Sequence, residues 1–107
     1  MNNLNQEERE KFEINLITQS YFAHKRKIRE DEESIIIRPI DEIKASRRII
    51  GHIDAVIDDL NEKDKFIIEN EVKNGKEGKW YMIFLSSSTY YRQRKKAYKT
   101  FLRCLEK

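Results

Sequence analysis

The chain has 107 residues, enough for one domain and too few for two. Charged residues make up 38% and hydrophobic residues another 38%, with three glycines and one proline; this balance predicts a helical domain with charged outer faces and excludes collagen-like and low-complexity chains. Fifteen isoleucines suffice for a thin core, the single cysteine excludes a disulfide framework and a cysteine-based zinc site, and no apolar run approaches the ~20 residues of a membrane helix.

The opening Met1-Asn2-Asn3-Leu4-Asn5-Gln6-Glu7-Glu8 lacks the basic-then-apolar order of a signal peptide, so a soluble cytoplasmic protein with no membrane partner is the expectation. Residues 6–30 read as a first helix that begins with acids suited to its positive end and turns Leu16, Ile17, Tyr21, Phe22 and Ile28 inward. Asp31-Glu32-Glu33-Ser34 breaks the pattern. Ile35-Ile36-Ile37-Arg38 before Pro39 predicts extended backbone, with no second segment to pair it into a sheet. A second helix starts near Pro39-Ile40-Asp41-Glu42, proline being tolerated in a first turn. Its Ile43, Ile50, Ile53, Ile57 and Leu60 recur at spacings of seven, three, four and three, a stripe that packs on a neighbouring helix or on a second copy of the chain as a homodimer. A short third helix over about 64–74 contributes Phe66, Ile67, Ile68 and Val72, and Asn74-Gly75 suits a left-handed stop before the loop Gly75-Lys76-Glu77-Gly78.

Lys79-Trp80-Tyr81-Met82-Ile83-Phe84-Leu85 is the most apolar segment, too short for its period to tell helix from strand. Ser86-Ser87-Ser88-Thr89 then offers several N-caps, and 87–107 contains neither Gly nor Pro and reads as one helix. Tyr90, Tyr91, Ala97, Tyr98, Phe101, Leu102 and Leu105 form its inner side, leaving Arg92, Gln93, Lys95, Lys96 and Lys99 outside. A short apolar helix, a polar turn and a basic helix together make a helix-turn-helix. Charge follows the same division. Residues 75–107 carry nine basic side chains against Glu77 and Glu106, a net +7, so residues 1–74 carry −4. The C-terminal surface suits a polyanion and the remainder does not.

At this point the sequence resembles a known group. Leu85-Ser86-Ser87-Ser88-Thr89-Tyr90-Tyr91-Arg92-Gln93-Arg94-Lys95-Lys96-Ala97 is similar to the C-terminal helix-turn-helix of the ArpU-like and RinA-like phage transcriptional regulators, which look like region 4 of sigma factors. The eleven positions from Ser86 to Ala97 match the spacing of sigma-type recognition helices, and the Trp-Tyr, Ser-Thr-Tyr-Tyr-Arg and Lys-Lys-Ala pattern is similar to that of a family of uncharacterised mollicute proteins. The resemblance covers 64–107 and hardly touches 1–63. It departs from the pattern in lacking a turn glycine, where Ser86-Ser87 stands, and in placing Arg94 where a core Leu is usual.

What the resemblance implies is an all-α single domain, with a helical part over 1–63 and a helix-turn-helix part over 64–107, that binds double-stranded DNA. Ser87, Ser88, Thr89, Arg92, Gln93 and Lys96 would face the major groove, where Arg forks to guanine, Gln to adenine, and Thr touches a thymine methyl. Lys95, Lys99 and Arg103 would hold phosphates, and Arg94 would bury its stem while its guanidinium reaches phosphate. Trp80 and Phe84 would support the recognition helix. Tyr90 and Tyr91 are within reach of DNA, but aromatic residues at helical spacing usually pack, Tyr90 above all. An interaction module docking on RNA polymerase or another protein is the alternative, and RNA binding a third.

No enzyme emerges. His24 and His52 lie on different helices with no cysteine near, so neither suggests a metal site. Asp54 and Asp58 are i, i+4 neighbours beside Asp59, with no partner acid, base or oxyanion donor. Cys104 lacks a histidine partner and reads as an inert thiol. Gly75-Lys76-Glu77-Gly78-Lys79 has no following Ser or Thr and is not a phosphate loop. No cofactor is implied.

Overall fold

Asn5 opens the first helix: its side-chain oxygen accepts from the Glu8 N–H at 2.8 Å while its amide donates to the Glu8 carboxylate. The computed structural model describes residues 5–107, and among them lie four α-helices and no strand, so the fold is all-α as the composition predicts. They are α1 (Gln6–Glu32), α2 (Ile40–Asp58), α3 (Glu62–Ile68) and α4 (Ser87–Leu105), with a π-helical turn at Glu69–Lys73 and a 3-10 turn at Trp80–Ile83.

A Schellman arrangement stops α1. The Ile35 N–H reaches the Glu30 carbonyl at 2.9 Å and the Ser34 N–H reaches that of Asp31 at 3.1 Å. Ser34 takes the left-handed position usually given to glycine, with φ +57°. Because Ile35 and Ile36 fold back onto this helix end, only 37–39 of the segment expected to be extended runs free of turns and bends. Arg38 then clamps the linker, 3.2 Å from Glu30 and 3.6 Å from Glu42. Pro39 stands just ahead of α2 as its N-cap.

α1 and α2 run antiparallel, as their cross-links show. Glu42 meets Lys27 at 3.4 Å, Ser46 meets His24 at 2.8 Å, and Asp54 accepts from the Tyr21 hydroxyl at 2.9 Å. Ile43, Ile50, Ile53, Ile57 and Leu60 are all buried, so the stripe of α2 finds its partners within the chain and needs no second copy to cover it. On α1 the expectation is half corrected. The seam runs through Glu10, Ile14 and Tyr21, which lie at helical spacing on one row. That row leaves Leu16 on the opposite side, 49% exposed, and Phe22 on the flank, 44% exposed.

Asn61 caps α3 through the Asp64 N–H at 2.9 Å and holds the Asp64 carboxylate at 3.0 Å. The helix then widens into its π turn, and Gly75, with φ +64°, reverses the chain against the Phe22 ring. The first helix of the expected helix-turn-helix does not form. Between Gly78 (φ +65°) and the Ser86 cap, the i to i−3 bonds Met82 to Lys79 (3.2 Å) and Phe84 to Tyr81 (2.8 Å) close one 3-10 turn. Side-chain anchors decide this geometry: Tyr81 stacks on Tyr90 with ring centroids 3.7 Å apart, and Trp80 is drawn toward the π turn. The helix on which α4 chiefly packs is α3, where Ile67, Ile68, Val72, Ala97 and Phe101 are sealed from solvent.

Candidate nucleic-acid interface

Ser86 caps α4 as its hydroxyl chemistry predicts, accepting from the Thr89 N–H at 3.3 Å and donating to the Thr89 hydroxyl at 2.9 Å. From that start the helix presents two different charged sides. Ser88, Arg92, Lys96, Lys99 and Arg103 are exposed and fall at i, i+4, i+8, i+11 and i+15, a single stripe along the helix. Gln93 and Thr100 flank it, half-buried, and the stripe forms one wall of a groove of about 810 Å³ whose other wall is the start of α3. Among the described residues no acid lies within ion-pairing distance of Arg92, Lys96, Lys99 or Arg103. The α3 wall holds two acids: Asp64 is buried and taken up by the cap of α3, and Glu62 is exposed and in no ion pair among the described residues.

The other side of α4 faces α1. Lys95 pairs with Glu7 at 3.2 Å. The Arg94 guanidinium lies over the rings of Tyr91 (4.8 Å), Tyr98 (5.5 Å) and Tyr90 (5.6 Å). Arg94 and Lys95 are therefore set apart from the other basic candidates, and helical spacing places Ser87 on the Tyr91 and Tyr98 side as well. Tyr90 is buried, as the packing argument predicts, whereas Tyr91, expected to face inward, is 50% exposed against α1.

Beneath this side lies a cluster that reading the sequence did not find. Glu71, in the π turn, accepts from the Trp80 indole N–H at 3.0 Å and from the Tyr90 and Tyr98 hydroxyls. Burial, then the hydrogen bond and charge of Glu71, push the Tyr90 phenol well above its ordinary range; burial and the same charge do so for Tyr98. The sequence signal was Glu71 three and four residues after Ile68 and Ile67, on the apolar side of its helix where Glu69 is not, with three aromatic donors downstream. The cluster ties α3, the 3-10 turn and α4 together and so fixes the azimuth of the exposed stripe.

Of the residues set aside as catalytic or ligating, Asp54, Asp58, His24 and His52 are engaged in holding helices together. Asp54 binds Tyr21 and lies 3.4 Å from Lys73, and Asp58 lies 3.6 Å from Lys65. His52 contacts the Leu105 carbonyl at 3.2 Å, one of the last carbonyls of α4. Cys104 is half-buried. No family model, no curated protein and no solved structure matches the chain.

Proposed function

We propose that this chain is a sequence-specific DNA-binding transcriptional regulator that reads duplex DNA with α4. The observation that carries the reading is the stripe of four cations that have no acid partner among the described residues, set on one helix along a groove. Cations on a helix with no internal partner are available to phosphate, and a groove-sized helix is what the major groove admits. Arg92, Gln93 and Lys96, in the first turns beside Ser88 and Thr89, are suited to base edges; Lys99 and Arg103, further along, are suited to phosphate. Arg94 and Lys95 take no direct part, being occupied by the tyrosines and by Glu7. The helix pair available for such docking is α3 and α4.

Titration against a site selected from random duplexes, at fixed salt, tests this. Arg92→Ala and Lys96→Ala are each expected to cost about 1–3 kcal/mol of binding where a base contact is lost, and Lys99→Ala to lower the salt slope by about one. Undiminished affinity in the Arg92→Ala/Lys96→Ala double variant would overturn the reading. Met82, Ile83 and Phe84, exposed just before α4, favour a second reading in which this end docks on a protein such as RNA polymerase. Salt-insensitive or undetectable duplex binding by the wild type would leave that reading in place of the first.

A further inference from the structure

The linker between α1 and α2 exposes more aliphatic surface than the rest of the fold explains. Ile37 is 89% exposed, Ile40 71%, Ile35 64% and Ile36 42%, all within six residues. Contiguous apolar surface of this kind marks a contact site on a soluble protein. A loose loop can carry such residues without consequence, but this segment is fastened at both ends. The Schellman bonds hold Ile35 and Ile36 against the end of α1, Arg38 is clamped by Glu30 and Glu42, and Pro39 fixes the entry to α2. The isoleucines are thus presented in one arrangement.

Charge around the patch says what covers it. On the α1 side stands Glu33; on the α2 side, Lys44 and Arg48 follow Ile40 at i+4 and i+8, on the same face of the helix. None of the three has an ion-pair partner among the described residues. Asp41, Lys44, Arg47 and Arg48 line one shallow depression beside the patch. The rim is acidic at the Glu33 end and net basic at the other, where Asp41 offsets only part of Lys44 and Arg48; it repels neither sign as a whole, which disfavours nucleic acid and an anionic lipid surface. It complements its own copy turned through a two-fold axis, because the acidic end of one chain then meets the basic end of the other, twice.

We infer that the Ile35–Ile37 and Ile40 patch is an isologous contact between two copies of this chain. The contact is distinct from the buried stripe of α2 and lies on a different helical hairpin from the α4 groove. It belongs to the small, weak class of interfaces, so association is expected at high micromolar rather than nanomolar concentration.

Sedimentation of the full chain across concentration tests it. The wild type is expected to move from its 13.0 kDa monomer mass toward twice that mass as concentration rises. Ile37→Asp and Ile40→Asp, both at open positions, are expected to keep the helical signal and weaken association at least tenfold. Glu33→Lys alone and the Lys44→Glu/Arg48→Glu pair are each expected to weaken it, and the combined swap to restore it. A wild type that stays monomeric to millimolar concentration overturns the proposal, whatever other molecule the patch then binds. So does association that ignores the isoleucine substitutions, or a combined swap that rescues nothing.

Discussion

Glu71 brings a negative charge into the joint between α3 and α4, and donors from two separate segments converge on it. Each would be left without its partner if the carboxylate were removed, and an unsatisfied half-buried donor is costlier than the bond it loses is favourable. Glu71→Ala is expected to lower stability by about 2–4 kcal/mol, and Glu71→Gln, which keeps an acceptor oxygen but turns an amide toward a donor, by about half as much. Urea unfolding of both variants measures this; losses under ~0.5 kcal/mol would mean the three donors are satisfied by water instead. Two glycines give a second comparison at the same scale. Gly75 and Gly78 share a left-handed backbone, yet a Cβ on Gly75 would sit 3.0 Å from the Phe22 ring whereas one on Gly78 meets nothing within 4 Å. Gly78→Ala should therefore cost only the backbone term, about 1–2 kcal/mol, and Gly75→Ala more. Phe22→Ala introduced into both should shrink the difference between their melting temperatures.

Among the elements, α2 is the most directly legible. Its stripe spacing specified the buried face residue by residue, and Ile53, 5% exposed near its middle, is expected not to tolerate charge. Ile53→Asp buries a carboxylate without a partner and should unfold the chain, with loss of the helical circular dichroism signal; an unchanged melt would put the stripe in solvent. The start and length of α4 were equally readable, since a hydroxyl cap and an uninterrupted run without Gly or Pro are local properties. What was not readable depended on distant partners. The inner face expected for α1 joined Leu16 and Phe22 to Ile17, Tyr21 and Ile28, and only the positions of α2, the π turn and α4 set the seam along Ile14 and Tyr21 and turned Leu16 outward. The segment 79–85 has the composition of a short helix, but the stacking of Tyr81 on Tyr90 and the pull of Glu71 on Trp80 hold it to a single turn. The candidate interface divides the same way: the stripe of Arg92, Lys96, Lys99 and Arg103 follows from periodicity, whereas the diversion of Arg94 and Lys95 toward α1 required the fold.

For the whole molecule, the uneven charge of the chain is used rather than merely carried. The acidic N-terminal part supplies Glu7 to Lys95 and Glu71 to the tyrosines beside Arg94, quieting one side of the basic helix and leaving the other free. The same design makes stability depend on alkaline pH. Tyr21 donates to Asp54 between α1 and α2, and Tyr90 and Tyr98 donate to Glu71 between α3 and α4. All three phenols are raised in the fold, by burial first and by those carboxylates next. Below the unfolded phenol value of about 10 both states keep these protons; above it the unfolded chain releases them while the fold retains them. Stability should thus be insensitive to these groups at neutral pH and fall as pH climbs past about 10, by up to ~1.4 kcal/mol per pH unit for each tyrosine. Phenolate absorbance followed with circular dichroism checks it: part of the absorbance should appear only as helicity is lost. A complete phenolate change with helicity intact would contradict it.

The position of Trp80 has an optical consequence. It is the sole tryptophan, its indole N–H is bonded to a carboxylate, and the rings of Phe66, Tyr81 and Tyr90 lie 5.5, 6.1 and 5.8 Å from it. Its emission therefore reports on one joint, where α3, the 3-10 turn and α4 meet, and is blind to the far end of the α1–α2 hairpin. Cys104, the sole thiol, stands near the end of α4 and can carry an acceptor dye. The native sequence thus contains a donor and an attachment point on either side of the helix proposed to enter DNA. Any bending or undocking of α4 on its ligand can be followed as energy transfer without adding a residue.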